Sequence, residues 1–366
     1  MSTQIPGSQT PGGQTPRTTS PTEEAPIGAP DPAVRAEAAA RLAGLATPPG
    51  ALGRLGEVGV WFAAAAGTVP PPALENVRLV IFAGDHGVAA HGVSAFGSEI
   101  TPAMVHMFLA GKAGVSALAR AHDVQVRVLD LCVDDDLAGA PDEVRAHKVR
   151  RSTGAIHLED ALTEDEFQRA WDAGVQVAQE EIAAGAQLLL SGDMGIGNTT
   201  PAAAMIAAAL GLPAAEVTGR GTGVDDATLQ RKIQVVQDAL DRVGDRAEDP
   251  VQTLHALSSA DLVATTSYVL TAARSGVPVL LDGLMSVACA LTAERIAPGA
   301  REWFLAGHRS TEPAQSMALE KLGLTPLVDL DMRLGEGSGA VAAVPLLRSG
   351  IALLREVALL SEVMGA

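Results

Sequence analysis

The feature that most constrains the fold of this chain is residues 187–210, which read QLLLSGDMGIGNTTPAAAMIAAAL. The apolar run at residues 187–190 is favoured as a buried strand because a glycine-rich turn follows it. In residues 193–198 glycine and asparagine break regular structure and let a ligand approach the backbone. A helix is predicted to start here, with Thr200 as its N-cap and Pro201 at its first helical position. Strand, glycine turn and helix N-terminus together form an anion site, although a tight crossover turn of an α/β fold has the same pattern.

Strand and helix signals alternate along the rest of the chain. Further strands are predicted at residues 77–83, 124–133, 277–281, 302–306 and 327–330. Helix-length segments separate them, which predicts right-handed crossovers and an α/β fold whose parallel sheet is covered by helices on both faces.

Three helices are defined by their local patterns. Thr101-Pro102 predicts the start of one helix reaching about Ala121, and Thr163 with Glu166 predicts a capping box for another. A third helix is predicted from Asp225 to Val243, with an apolar stripe at residues Leu229, Ile233, Val236 and Leu240.

The composition narrows the class of protein. A formal net charge of −17 over 366 residues argues against a general affinity for nucleic acid or an anionic membrane. Cys132 and Cys289 lie in apolar runs, which predicts buried, reduced thiols in a cytoplasmic protein. No uninterrupted apolar run is long enough to span a bilayer, and the polar N-terminus does not have the pattern of a signal peptide. Residues 1–32 are rich in Ser, Thr, Gln, Gly and Pro, which predicts a disordered tail.

Polar residues gather where the predicted strands end. These ends carry the sequences AGDHG, SGDMGIGN, LDG, AGHRS and LDMRLGEGSG. Parallel strands present their carboxyl ends at one edge of a sheet, and ligands bind beyond that edge. The sequence therefore predicts a site for a phosphorylated small molecule.

Other nucleotide and catalytic motifs fit the chain poorly. No GxxxxGK[ST] sequence occurs, and Gly219-x-Gly221-x-Gly223 lacks the dinucleotide-binding spacing. His86 and His91 have no third ligand at a convincing spacing, so we expect no metal site. There is no GxSxG nucleophile elbow.

Carboxylates in glycine-rich loops remain as candidates for catalysis. Glu336 lies between Gly335 and Gly337, where it either caps the following helix, is merely solvated, or accepts a proton from a bound substrate. A general base of this kind typically contributes about 10²–10⁴ in rate. Asp193 is either a second functional carboxylate or a turn residue favoured by the helix dipole.

Six motifs follow one another in a fixed order along the chain. They are GDHGV from Gly84, GVSAF from Gly92, GDMGIGNTTPA from Gly192, TGRGTGVDD from Thr218, PVLLDG from Pro278 and LGEGSGA from Leu334. With PPGALGRL from Pro48, this series closely resembles the nicotinate-nucleotide–dimethylbenzimidazole phosphoribosyltransferase family, from about residue 33 to the C-terminus. The resemblance implies a large α/β domain with a Rossmann-like sheet at residues 76–342. It also implies a small helical domain from residues 33–75 and 343–366, and a homodimer.

The resemblance also implies an activity. Enzymes of this family move phosphoribose from nicotinate mononucleotide to dimethylbenzimidazole, giving α-ribazole phosphate and nicotinate in cobalamin synthesis. Glu336 matches the general base, and Asp193 is placed to stabilise oxocarbenium character at the sugar carbon. The donor is a pyridinium whose departure needs no general acid. We expect no cofactor and no metal ion, and neither nucleic acid nor membrane as a partner.

The remaining matching positions divide into two groups. Those that match the phosphate and ribose surroundings are Gly195, Gly197, Asn198, Thr199, Gly219, Gly221, Lys232 and Ser310. Those that match the pocket for the acceptor base are Ser94, Ala95, Phe96 and Glu99. Without the resemblance, Lys232 has the pattern of an ordinary surface lysine beside the apolar stripe.

The chain departs from the family pattern at three places. Asp193 replaces a common glutamate, which withdraws the carboxylate by about an ångström and a half. Phe96 replaces a common tyrosine, so the acceptor pocket lacks a hydroxyl group. Ser258-Ser259-Ala260-Asp261 replaces a glycine-glycine-acidic signature, which predicts an altered loop with no loss of activity.

Three other functions compete with this interpretation. A related enzyme would use another acceptor, such as adenine, a substituted benzimidazole or a phenol. A non-catalytic sensor would bind nucleotide through the same loops, and the intact Glu336 argues against it. The missing GxGxxG fingerprint argues against a nicotinamide-dependent oxidoreductase.

Overall fold

The computed structural model of the protein describes residues 25–365. In chain order the helices and strands are α1 (Pro32–Gly44), α2 (Gly53–Ala66), β1 (Val77–Gly84), α3 (Ile100–Leu109), α4 (Gly114–Ala121), β2 (Gln125–Cys132), α5 (Asp142–Arg145), α6 (Glu164–Ala183), β3 (Leu188–Met194), α7 (Thr199–Leu210), α8 (Ala214–Val217), α9 (Asp226–Val243), α10 (Pro250–Leu257), α11 (Ala260–Arg274), β4 (Val279–Leu281), α12 (Leu284–Ile296), β5 (Phe304–Ala306), β6 (His308–Arg309), α13 (Pro313–Leu322), β7 (Val328–Asp329), α14 (Ser338–Glu356) and α15 (Leu360–Met364).

The centre of the fold is a parallel sheet of five strands in the order β2-β1-β3-β4-β5. Strands β1 and β3 are adjacent, with Val77 opposite Leu188 and Phe82 opposite Asp193. A separate two-stranded parallel sheet joins β6 and β7. The prediction of an α/β fold with a parallel sheet is confirmed, and each strand expected from the sequence overlaps a strand of the structure.

Helices cover both faces of the sheet, because alternate residues of a strand enter different cores. Val80 and Phe82 belong to one apolar core with α6 and α11, whereas Leu79 and Ile81 belong to another with α2 and α14. This two-sided burial explains why β3 has a nearly continuous apolar sequence.

Two predicted helix starts are wrong, and one helix is divided. The segment expected to be one helix from residue 101 to 121 forms α3 and α4, because Gly111 adopts a left-handed φ of 67° between them. Thr101 does not cap α3, since its Oγ1 donates a hydrogen bond of 2.5 Å to Asp85 Oδ1. Helix α7 begins at Thr199 with Asn198 at the N-cap position, which places Thr200 inside the first turn. The capping box of Thr163 and Glu166 on α6 is confirmed.

The two ends of the described chain pack together. Gly59 of α2 lies so close to α14 that a Cβ there would be 2.5 Å from the carbonyl oxygen of Gly350. Arg41 of α1 donates to the carbonyl of Leu354 at 2.7 Å. The division into a small helical domain and a large α/β domain stays a prediction, and α14 begins at Ser338, before the predicted boundary at residue 343.

Helix α14 is the one described helix that is long and apolar enough to cross a membrane by length and composition. More than half of it, 56 %, is buried within the protein, as in the core helix of a globular domain.

The predicted N-terminal tail is wrong at its last residues. The Ile27 N–H donates to the carbonyl of Pro298 at 2.9 Å, and the Trp303 indole donates to the carbonyl of Gly28. Asp31 caps α1 by accepting from the N–H groups of Ala33 and Val34. The chain is therefore packed from Ile27 onward, and the rest of the predicted tail, residues 1–24, lies outside the described residues.

Candidate functional site

The carboxyl ends of the sheet strands border a cavity of about 130 Å³. Its walls come from the loops after β3, β4 and β5 and from the loops before α9 and α14. The polar and charged residues among them are Asp193, Asn198, Thr199, Thr222, His308, Ser310, Glu312 and Arg333. The predicted edge of the sheet therefore holds a concave site with convergent polar groups.

The loop after β3 requires glycine because other loops press against it. A Cβ at Gly195 would lie 1.8 Å from the carbonyl oxygen of Gly84, at the end of β1. A Cβ at Gly192 would lie 2.4 Å from the carbonyl oxygen of Glu336. These contacts place the β1, β3 and α14 loops together.

Helix α7 starts at this loop without a side-chain cap. Asn198 occupies the N-cap position, but its Nδ2 donates to Asp193 Oδ1 at 2.5 Å instead of capping the helix. The Thr200 N–H donates to the carbonyl of Gly197 at 3.1 Å and Pro201 has no N–H, so this helix start favours an anion through the positive end of the helix dipole.

Lys232 is buried beside that first turn, with 1 % of its surface exposed. Its Nζ donates to Thr199 Oγ1 at 2.7 Å and to the carbonyl of Gly219 at 3.0 Å. Burial lowers the pKa of Lys232, and the negative charge of Glu312 opposes this shift. The alternative of a surface lysine is wrong, because the buried face of α9 passes through residues 232, 235, 236, 239 and 243.

The glycine loop before α9 is held by Glu312, a residue that the sequence analysis did not single out. Glu312 Oε1 accepts from the Gly221 N–H at 2.7 Å, and a Cβ at Gly219 would lie 2.1 Å from Oε2. The Glu312 N–H donates to Ser310 Oγ at 3.4 Å. Glu312 directly precedes the proline that begins α13, a sequence pattern typical of a helix start, so the sequence did not indicate a role in the site.

Glu336 occupies a strained loop at the far side of these residues. Its φ of 64° lies in the left-handed region between Gly335 at 77° and Gly337 at 89°. Only 5 % of the residue is exposed, and Oε2 accepts from the Val115 N–H in the first turn of α4 at 3.0 Å. Burial raises the pKa of Glu336, the Val115 N–H lowers it, and the charge of Asp282 raises it further.

Asp282 caps the helix that follows Glu336. Its carboxylate accepts from the Gly337 N–H at 3.1 Å and from the Ala340 N–H at 2.9 Å. The idea that Glu336 caps the following helix is therefore wrong, because Asp282 does so and Glu336 meets the more distant α4. Burial raises the pKa of Asp282, and His308, with Nε2 at 3.6 Å, opposes this.

Asp193 lies in the cavity wall and is 8 % exposed. Its Oδ2 has no hydrogen-bond partner among the described residues. Burial raises the pKa of Asp193 well above its ordinary value, and the nearby negative charge of Asp261 adds to the shift. This environment favours a neutral carboxyl group rather than a carboxylate.

The predicted acceptor pocket lies apart from the cavity walls. Ala95 and Glu99 are exposed, Ser94 is half-buried, and 51 % of Phe96 is accessible to solvent. Of the predicted phosphate and ribose residues, five line the cavity: Gly195, Asn198, Thr199, Gly221 and Ser310. Lys232 joins Thr199 to Gly219 behind the wall, and Gly197 lies in the turn before α7. Residues 94–99 lie outside the cavity.

The two cysteines and the absence of a metal cluster complete the description. Cys132 and Cys289 are free and buried, as expected, and burial raises the pKa of both thiols. Within residues 25–365 no three His, Cys, Asp or Glu side chains stand together in an arrangement able to hold a metal ion.

Comparison with known proteins decides the family. A family model described as phosphoribosyltransferase (DBI_PRT) matches residues 27–363. The chain belongs to the nicotinate-nucleotide–dimethylbenzimidazole phosphoribosyltransferase family. It is 49 % identical over 338 residues to the protein of that name from Mycobacterium marinum, covering 92 % of this chain and 94 % of the relative. It is also 49 % identical to the protein of that name from Mycobacterium tuberculosis, covering 92 % of this chain and 93 % of the relative.

Solved structures of the family agree with the fold. The crystal structure of CobT from Thermus thermophilus superposes with a TM-score of 0.87 at 45 % identity, covering 91 % of this chain and 99 % of that one. A second structure from the same organism, of the phosphoribosyltransferase under its full name, gives a TM-score of 0.85 at 43 % identity, covering 92 % and 99 %. The resemblance carried by the six motifs is therefore confirmed, and the protein is a phosphoribosyltransferase, an enzyme that transfers a pentosyl group.

Proposed function

We propose that this enzyme transfers phosphoribose from nicotinate mononucleotide to dimethylbenzimidazole. The products are α-ribazole phosphate and nicotinate, and the reaction supplies the lower-ligand nucleotide of cobalamin. The observation that carries the proposal is the buried Glu336 carboxylate, next to Gly335 of the cavity wall, in a chain about half identical to relatives with this name.

The anionic end of the donor fits the first turn of α7 and the glycine loop before α9. Backbone N–H groups at a helix N-terminus and an ammonium group are both suited to phosphate. Lys232 is held at that turn by Thr199 and by the carbonyl of Gly219, so two of its three donors are engaged and one stays free for a ligand. Ser310, through the Glu312 loop, borders the same cavity and suits a sugar hydroxyl.

Glu336 is proposed as the general base of the transfer. One nitrogen of dimethylbenzimidazole carries a proton, and the other attacks the anomeric carbon of the ribose. As the new N–C bond forms, the proton passes to the Glu336 carboxylate, and the pair of electrons of the broken C–N bond goes to the nicotinate nitrogen. A base pKa above the ordinary glutamate value, here raised by burial, improves its match to neutral pH.

The acceptor is proposed to be placed by residues 94–99. Phe96 offers an exposed apolar ring, and a flat benzimidazole gains by covering such a surface. Ser94, Ala95 and Glu99 lie on the same segment, and just before it the Arg231 side chain of α9 donates to the carbonyl of Gly92. We further propose that the enzyme is a homodimer and works in the cytoplasm.

A mixing assay tests the reaction and the base together. The protein is incubated with nicotinate mononucleotide and dimethylbenzimidazole, and both products are quantified by chromatography. We expect product from the wild type and a loss of at least about 10² in Glu336→Gln. Glu37→Gln, at an exposed glutamate of α1, is the matched control and keeps full activity.

The other outcomes separate the alternatives. Release of nicotinate only in the presence of adenine or a phenol would show that this compound, and not dimethylbenzimidazole, is the acceptor. Tight nucleotide binding without turnover for any acceptor would indicate a sensor. Equal activity of Glu336→Gln and wild type would remove Glu336 from the role of base.

A further inference from the structure

A buried chain of ionisable groups leads inward from the cavity. Asp193 is in the cavity wall, and Asp261, in the first turn of α11, lies close enough for its charge to raise the pKa of Asp193. His86 follows β1. Asp261 is completely buried, and His86 is 2 % exposed. His86 Nε2 lies 3.7 Å from Asp261 Oδ2.

The hydrogen bonds of this cluster are incomplete. Asp261 Oδ1 accepts from the Cys132 thiol at 3.4 Å, and Asp193 Oδ1 accepts from the Asn198 amide. The second oxygens of both carboxyl groups and both ring nitrogens of His86 have no hydrogen-bond partner among residues 25–365. Buried polar atoms normally have partners, so an unpartnered pair at a cavity wall points to a shared proton or a ligand.

Electrostatics favours one negative charge for the two carboxyl groups. Two carboxylates at one buried site cannot both be ionised without a large cost. Burial raises the pKa of Asp193, the neighbouring Asp261 raises it further, and Asp282 after β4 adds to the shift, while the Asn198 amide opposes it. On the Asp261 side His86 faces the carboxylate, and the Cys132 thiol of β2 stays neutral because burial raises its pKa.

We propose that Asp193 and Asp261 hold one proton between them and that the neutral Asp193 donates a hydrogen bond from Oδ2 to an oxygen of the anionic donor nucleotide. Asp261 is then a positioning residue, which keeps the proton on Asp193 and does not touch the ligand. The identity of the ligand rests on the proposed function, whereas the protonation of the pair does not.

The negative charge of the surrounding walls explains how a protonated Asp193 would help an anionic ligand to bind. Glu312 borders the same cavity, and Glu336 and Asp282 lie in the adjoining loops. An ionised Asp193 would add another negative charge where a phosphorylated, carboxylate-bearing nucleotide must enter. With the shared proton, Asp193 in that wall donates a hydrogen bond instead of accepting one.

The first test uses the ligand-free protein and an infrared measurement. A protonated carboxyl group has a carbonyl stretch distinct from that of a carboxylate, and it shifts in heavy water. We expect this band at neutral pH in the wild type, and we expect Asp193→Asn to lose the component of the band that the Asp193 carboxyl group contributes. In Asp261→Asn we expect the band to disappear at a lower pH than in the wild type. Asp142→Asn, whose side chain is 97 % exposed, leaves it unchanged.

The second test measures nicotinate mononucleotide binding by calorimetry between about pH 6 and about pH 9. Above the pKa of the pair, wild-type affinity falls about tenfold per pH unit, since one proton is linked to binding. In Asp193→Asn, a neutral isostere, this falling limb disappears, whereas the control Asp142→Asn keeps it. In Asp261→Asn the falling limb moves to lower pH, whereas a merely structural role would weaken binding equally at all pH values.

The outcomes separate this proposal from the proposed function. A difference spectrum between the wild type and Asp193→Asn that lacks this band overturns the shared proton whatever the protein binds. A pH-independent affinity in the wild type overturns the role of the proton in binding. A protein that shows the band but binds no nucleotide contradicts the proposed donor and the proposed hydrogen bond, and leaves the protonated pair established.

Discussion

The Glu336 carboxylate accepts a hydrogen bond of 3.0 Å from the backbone N–H of Val115, a residue 221 positions away in the chain. This contact fixes the carboxylate at the first turn of α4, where the helix dipole favours its ionised form. Burial acts in the opposite direction and is the larger effect, so the pKa of Glu336 is raised. The loop thus holds a carboxylate that is both oriented and partly desolvated.

The acid limb of the pH–rate profile is the first prediction. Glu336 must be ionised to accept a proton, so kcat/KM falls as the pH drops through its pKa. Because that pKa is raised, the midpoint lies above the ordinary glutamate value of about 4.3. The measurement is kcat/KM between about pH 4.5 and about pH 9. In Glu336→Gln this limb disappears from the residual activity, and its persistence would assign it to another group.

Lys232 gives a prediction that separates binding from folding. Lys232→Met removes the buried ammonium that reaches Thr199 and Gly219, so the Kd for nicotinate mononucleotide rises by at least about tenfold, the loss of one charge-assisted hydrogen bond. The free energy of unfolding stays similar, because the variant also removes the cost of burying a charge. Calorimetry and urea unfolding measure the two quantities. Unchanged donor affinity would exclude Lys232 from the phosphate site.

The tightness of the β3 loop can be tested with two glycines. A Cβ at Gly195 would be 1.8 Å from the Gly84 carbonyl, so Gly195→Ala must displace the β1 or β3 loop and costs more than about 2 kcal/mol. Gly211, at the end of α7, has a φ of 67° but open space around it, and Gly211→Ala costs only about 1 kcal/mol of backbone strain. Urea unfolding of the two variants compares a steric clash with strain alone. Equal losses would show that the loops adjust freely.

Acid sensitivity is predicted at Asp160. Arg246 lowers the pKa of this carboxyl most strongly, and Arg242 lowers it too. A lowered folded-state pKa stabilises the protein above the unfolded pKa of about 3.9 and loses that contribution as the pH falls toward the folded value. Asp160→Asn therefore lowers the free energy of unfolding at neutral pH by about 1 kcal/mol, a modest figure because the pair is partly solvated. The difference from wild type shrinks below about pH 4, and a constant difference would assign it to packing.

The parallel sheet and its polar edge were predictable because both depend on local pattern. The strands are short apolar runs, those of β1, β3 and β4 end in glycine and acid, and parallel connection places all strand ends at one edge. The burial of Lys232 was not predictable in this way. The apolar stripe centred on Val236 predicted a buried helix face that is rotated slightly from the buried face in the structure. Because of this rotation, the sequence pattern did not show that Lys232 is buried.

Contacts between distant segments account for the rest. Three contacts depend on how the loops pack after the sheet has formed. They join Glu336 to Val115, Glu312 to Gly221 and Asp193 to Asp261. No spacing in the sequence encodes these pairs. The break at Gly111 was missed for a simpler reason, since one glycine within an apolar helical pattern is often tolerated.

Under the proposed function, the positive end of the α7 dipole makes the donor nucleotide a stabilising component of the fold. Its phosphate would lie at the N-terminus of α7, which the Asn198 side chain leaves uncapped because it donates to Asp193. A ligand at a hundred times its Kd adds about 2.7 kcal/mol to the free energy of unfolding. Under the proposed function, each release of the product nucleotide removes this contribution, so the stability of the enzyme rises and falls once in every catalytic cycle.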